Sequence, residues 1–178
     1  MKKYTLLFSA ILLTCTYTLA QEQVFPVIKN YGGIYDMPSA TVKPDHEGPY
    51  KIVVDVVSRE EGPSELSYSL VNVARLINLH AVGGVDPKNI KVVLAIHGPM
   101  ALTVMNNDAY KQKFGVDNPH TDLYKALGEA GVKITICGQS LIARQISPDQ
   151  VLEGIEIATS MLTTVTTYQL NGYVLLKF

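Results

Sequence analysis

Residues 131–141 read GVKITICGQSL, and this stretch decides the fold. Val132 to Ile136 form an apolar, β-branched run that ends in Cys137 and gives way at once to the turn-like Gly138-Gln139-Ser140. Such a run, bounded by turn residues, predicts a buried strand. Just upstream, "DNPHTDLYKALGEAG" (117–131) carries helix punctuation. Asn118 is the expected cap, Pro119 the expected first residue and Gly131 the stop. A helix feeding a buried strand is half of an α/β repeat, and the rest of the chain extends it in both directions.

Toward the N-terminus, "NIKVVLAIHG" (89–98) and "YKIVVDVVS" (50–58) are two further buried strands. Between them Leu66, Leu70, Val73, Ile77 and Ala81 recur at helical spacing. Ser64 is the expected cap and Gly83-Gly84 the stop. "PMALTVMN" (99–106) predicts a short helix, and the residues from there to 116 give no clear signal. Toward the C-terminus, "SPDQ" (147–150) has a capping-box pattern, "GIEIATS" (154–160) predicts a short fourth strand and "YVLLKF" (173–178) a last one. Residues 161–171 are rich in threonine, which favours a strand by propensity. The spacing of Met161, Val165 and Tyr168, with Gly172 as a stop, favours a helix instead. Strands that alternate with helices and lack surface alternation predict a parallel sheet covered on both faces.

The N-terminal region differs. Lys2 and Lys3 precede an apolar run, Leu6–Leu13, and then "TYTLA" before "QEQ". That order predicts a secretory leader over 1–20, cut after Ala20, and a periplasmic or secreted protein. The rival reading is a lipoprotein leader with Cys15 as the lipidated residue, although Thr14 stands where a smaller residue is usual. Cleavage removes 20 of 178 residues and two lysines, leaving 158 residues, a net charge of −3 instead of −1, and Cys137 as the one cysteine. No internal disulfide can form, and the mild acidity argues against nucleic acid. No later run is long and apolar enough to span a membrane. Residues 21–49 are punctuated by Pro26, Gly32, Gly33, Pro38, Pro44, Gly48 and Pro49, with Phe25, Tyr31 and Tyr35 between. They predict an extended arm packed on its own domain, 50–178, or on a neighbouring subunit.

In open parallel sheets ligands bind beyond the carboxyl ends of the strands. Three such ends carry polar residues: Ser58-Arg59-Glu60, His97-Gly98, and Cys137-Gly138-Gln139-Ser140. Consecutive strands are usually neighbours, which puts His97 and Cys137 on one rim. A helical turn starting at "GQSLIAR" would aim free N–H groups at the sulfur and favour its thiolate, with Arg144 as a further candidate cation. The competing reading is a small buried hydrophobe, and for His97 a ring bonded to the backbone. His46, His80 and His120 show no metal spacing, so no metal site is expected. Neither "HGP" nor "CGQS" is a nucleotide-binding fingerprint, and no organic cofactor is required. A Cys–His hydrolase with Asn106, Asn107 or Asn118 as orienter lacks any local signature.

"VVLAIHGPMAL" (92–102), "DNPHTDLYKALGEAGVKITICGQSL" (117–141) and "LTTVTTYQLNGYVLLKF" (162–178) resemble the DsrE/DsrF-like proteins, in particular the YchN-like branch and its exported relatives. "LVNVARLINLHA" (70–81), with Asn72 and Asn78, resembles that branch's first helix. The resemblance implies a three-layer α/β/α domain with a five-stranded parallel sheet. It implies homo-oligomers, trimers or hexamers. It also implies a sulfur-handling role in which the cysteine after the third strand, here Cys137, carries sulfur as a persulfide received from a small sulfur compound or a donor protein. His97, Gly98, Gly138, Gln139 and Ser140 would then position or polarise the group. The alternative is a non-catalytic oligomer whose strand-end cleft holds a small ligand.

Overall fold

The computed structural model describes residues 21–178 apart from His46 and Glu60. The expected leader, with Cys15, lies outside the described residues. Five strands form one parallel sheet: β1 (Tyr50–Val56), β2 (Ile90–Ile96), β3 (Lys133–Cys137), β4 (Glu156–Ala158) and β5 (Val174–Lys177). Their order is β4-β3-β2-β1-β5. The chain steps outward from β1 to β4, then returns to add β5 on the far side of β1. The order therefore reverses at β1.

Residue alternation sorts the sheet into two unequal faces. Ile52, Val54 and Val56 of β1, Val92, Leu94 and Ile96 of β2, and Ile134 and Ile136 of β3 enter one large core. Over them lie helices α1 (Tyr68–Val82), α2 (Asn107–Phe114) and α3 (Thr121–Glu129), through Leu70, Val73, Ala74 and Ile77, Ala109 and Tyr110, and Leu123 and Leu127. The opposite face has a small core, Val53, Val93 and Ala95 against Val165 of α5 (Met161–Leu170). The threonines of α5 do not force a strand, because Thr163, Thr164 and Thr166 return their hydroxyls to carbonyls three or four residues back. Ser160 caps the helix by accepting from the Thr163 N–H at 3.1 Å.

Three local expectations are corrected. The first helix begins at Tyr68 and not after Ser64, because the Glu61 carboxylate takes the Tyr68 N–H at 2.6 Å. Asn118 does not cap α3, which starts at Thr121. Its Oδ1 accepts from the His120 N–H and its amide donates to the Thr103 and Met105 carbonyls, so it ties two loops together. Residues 98–104 form a 3-10 helix, and the unassigned segment after it contains α2, capped by Asn106. The capping box at Ser147 and Gln150 forms, around a single 3-10 turn.

The first part of the arm packs on its own domain. Val24 and Ile34 bridge antiparallel, and Ile28 and Ile34 are buried. Asn78, itself fully buried in α1, accepts from the N–H groups of Val27 and Ile28 and donates to the carbonyls of Ile28, Tyr31 and Gly32.

Candidate functional site at the strand ends

The β2–β3 ladder ends with Ile96 opposite Ile136. His97 and Cys137 come next, both on the sheet face covered by α5. Helix α4 (Gly138–Ala143) starts directly after the cysteine, which occupies its N-cap position. Cys137 is a free thiol, buried to 7 % exposure. Burial pushes its pKa up. The Ser140 hydroxyl and the backbone N–H groups of Met161, Ser140 and Gln139 act on the sulfur from the other side, and together they hold the thiol below the ordinary cysteine value. Two of these N–H groups come from the first turn of α4 and one from the start of α5, so two elements converge on one atom.

Ser140 has a second role. Its Oγ accepts the Gly98 N–H at 3.1 Å, which leaves its own proton free for the sulfur and links the loops after β2 and β3. Gly138 is needed for close approach, since a Cβ there would sit 2.9 Å from the Ala158 carbonyl oxygen. That contact presses the end of β4 against the start of α4 and brings Met161 within reach of the thiol. Gln139 contributes through its backbone, and its exposed side chain reaches only the Thr159 carbonyl at 3.5 Å.

His97 is on the same rim, but its partner is another residue. Its Nε2 lies 2.6 Å from Asp55 Oδ1 on β1, and the other Asp55 oxygen faces Lys177 of β5 at 3.8 Å. Sequence reading missed Asp55. A lone carboxylate inside the apolar run "KIVVDVV" was the available signal, because a buried charge needs a partner. Arg144 does not join the site. It closes α4 and lines a separate small cavity with Gln112 and Gln150. Asn106, Asn107 and Asn118 are occupied with capping and loop contacts remote from the thiol. Among the described residues no group of three His, Cys, Asp or Glu could hold a metal.

A groove of about 380 Å³ runs between α5 and the β3–β4 edge, lined by Thr135, Thr159, Thr163, Thr164 and Thr167 among others. Ala158 and Thr159, which bear on Gly138, are also part of its wall, while Cys137 itself is not. A larger cavity of about 600 Å³ lies between arm residues 27–31 and α3, in the other helical layer, and includes no strand-end residue.

The fold and the rim define a parallel α/β protein with a donor-ringed thiol at the end of its third strand. The model of the DsrE/DsrF-like family matches residues 51–178, and the chain belongs to that family. No curated protein matches. Among solved structures, the protein of unknown function MTH1491 from Methanobacterium thermoautotrophicum is similar at 18 % identity, over 72 % of this chain and 99 % of that one, with a TM-score of 0.54. The ychN protein from E. coli is similar at 23 % identity, over 72 % and 99 %, with a TM-score of 0.51. At such identities the likeness is one of fold. The described residues include no helix long and apolar enough to cross a membrane.

Proposed function

We propose that this protein handles sulfane sulfur, taking it up on Cys137 as a persulfide and passing it to an acceptor thiol. The supporting observation is the place of Cys137 at the end of β3 and the N-cap of α4, where the Ser140 hydroxyl and the N–H groups of Met161, Ser140 and Gln139 lower the pKa of its thiol. They favour the thiolate, which is the nucleophile in exchange at sulfur. The same donors would face the terminal sulfur of a persulfide or the thiolate left when it departs. Gly98, Gly138 and Ser140 hold the loops that present them, and Gln139 supplies one N–H. In this proposal the chain works as an exported homo-oligomer, behind the leader read over 1–20.

A second reading, non-catalytic binding of a small ligand at the strand ends, draws on the 7 % exposure of Cys137 and on the threonine-lined groove. Iodoacetamide labelling of the native protein across pH separates the two. Transfer chemistry expects modification of Cys137 with a midpoint below the ~8.5 of an ordinary cysteine. It also expects one added sulfur by mass spectrometry after incubation with a persulfide donor, lost in Cys137→Ser. Labelling that requires denaturation would reject the sulfur-handling role and leave the binding one.

A further inference from the structure

We infer that Asp55 and His97 form the proton-handling unit of the Cys137 site, with His97 as the proton carrier and Asp55 as the residue that positions it. The inference rests on the sulfur-handling reading and adds to it the group that manages the proton. The first observation is the pair itself. Nε2 of His97 and Oδ1 of Asp55 are 2.6 Å apart, with side chains only 19 % and 11 % exposed. A carboxylate accepts, so the neutral tautomer that fits this contact has its hydrogen on Nε2 and its lone pair on Nδ1. No hydrogen bond engages Nδ1 among the described residues, whereas Nε2 is engaged.

The second observation is placement. Ile96 and Ile136 are opposite each other, so His97 and Cys137 are the next residues after adjacent strands, whose axes are about 5 Å apart. Both project to the α5 face, as does Asp55, which is in register with Ala95. Of the three, Asp55 is on β1, where the strand order reverses, and His97 and Cys137 follow one and two strands away. Ligand crevices of open α/β sheets form outside the carboxyl ends at such a reversal.

The third observation is that little else nearby could do the work. The segment 98–104, α4 and α5 together carry no charged side chain. Their one titratable group is Tyr168, whose ring packs edge-on against Tyr173, their centroids 4.8 Å apart. The ionisable groups paired with His97 or its partner are Asp55 on β1 and Lys177 on β5; Arg59, in the loop after β1, turns instead to the Tyr110 hydroxyl at 2.8 Å. Lys177 faces the second Asp55 oxygen at 3.8 Å and does not take the oxygen that His97 uses. The sulfur already has four donors of its own, none of them His97. The imidazole is therefore not needed to make the thiolate, and its free lone pair suits a later step.

That step balances as follows. The Cys137 thiolate attacks the outer sulfur of a donor R–S–SH. A bond forms between Sγ and that sulfur, and the S–S bond of the donor breaks with its electron pair on R–S⁻. The proton on the transferred sulfur passes to His97 Nδ1 and from there to R–S⁻. The products are Cys137–S–S⁻ and R–SH, with no net oxidation and no other reactant. Reversal of the same path delivers the sulfur to an acceptor thiolate.

The test uses the full chain and glutathione persulfide as donor, comparing wild type, His97→Gln, Asp55→Asn and Cys137→Ser. Uptake followed by mass should fall about 100-fold in His97→Gln and about tenfold or more in Asp55→Asn, the low end of general acid–base contributions. Iodoacetamide alkylation needs no such proton transfer, and its pH–rate profile should stay within about twofold of wild type in both variants. Uptake at the wild-type rate in both, with Cys137→Ser inactive, would overturn the inference and leave the sulfur-handling reading standing. So would alkylation that falls in step with uptake, since that marks a structural role. No uptake by wild type would remove both. Should a variant fail to fold, the ¹⁵N shifts of His97 in the wild-type protein decide. Hydrogen on Nε2 is expected in the neutral form of the ring, and a neutral form with its hydrogen on Nδ1 overturns the assignment.

Discussion

Acid should weaken this fold through one imidazole, His120. The ring is fully buried where α1, α3 and the 3-10 segment meet. Its Nε2 accepts the Ser67 N–H at 3.0 Å and its Nδ1 lies 2.9 Å from Asn118 Oδ1. A neutral ring with hydrogen on Nδ1 satisfies both contacts, and a protonated ring loses the first because it has no lone pair left. Burial, reinforced by the nearby Arg59 cation and opposed by Glu61, depresses the pKa from 6.5 to about 4. The unfolded chain therefore binds more protons between those two values. Stability is complete above 6.5 and is lost as pH falls from there through about 4, where the folded-state group finally titrates. At about 1.4 kcal/mol per pH unit, the interval amounts to about 3 kcal/mol. Urea unfolding of wild type and His120→Gln from about pH 7 to about pH 4 would measure it, the difference cancelling the carboxylates that titrate in the same window. His120→Gln should be the less stable protein near neutrality, and the gap should narrow by about 3 kcal/mol on acidification. A gap that stays constant with pH would refute the neutral buried imidazole.

Two other outcomes follow from single side chains. Ser140→Ala removes one donor from the sulfur and orphans the Gly98 N–H. A hydrogen bond to a charged group contributes about 1.5–3 kcal/mol, so alkylation of Cys137 near neutral pH should slow about tenfold or more and its midpoint should rise. An unchanged pH–rate profile would count against the donor arrangement. Asn78→Ala strips five hydrogen bonds from the arm and leaves buried backbone groups unpaired. A loss of about 3–5 kcal/mol should lower the melting temperature by roughly 6–20 °C, or free the arm so that the Val27 and Ile28 amides exchange rapidly. Because Asn78 lies in the other helical layer, Cys137 reactivity should not change. Melting within about 1 °C of wild type with both amides still protected would show that the clasp contributes little.

Helix α2 shows where periodicity alone is insufficient. "NDAYKQKF" points only Ala109 and Tyr110 fully inward, too few to register as an amphipathic stripe, although its caps, Asn106 and Gly115 (φ 77°), were present in the chain. Asn118 looked like a cap because Asn before Pro at a helix entrance has local reasons to be one. Three contacts to residues up to 15 positions away gave it another role. Asp55 was hidden by its company, since an apolar strand reads as apolar whether or not one position carries a charge. The buried state of His120 was equally hidden: its partners, Ser67 and Asn118, include one that is 53 residues away.

What the sequence alone determined is local and periodic. The β-branched runs, the helical spacing in α1, the helix punctuation before β3, the turn after Cys137 and the glycine stops each act over a few residues, and together they require alternating strands and helices with a parallel sheet. The strand-end positions of Cys137 and His97 follow from the same runs, because the end of a buried strand is where apolar residues stop. The partners of those two side chains were decided only by tertiary structure. Cys137 acquires its fourth donor from Met161, 24 residues on, because the close contact at Gly138 brings the entrance of α5 to the sulfur. His97 turns to Asp55, 42 residues back, because the register sets Val56 beside Ile96. Hydrogen bonds and ion pairs depend on distances of a few tenths of an ångström between segments remote in sequence, and such distances exist only once the sheet has been assembled.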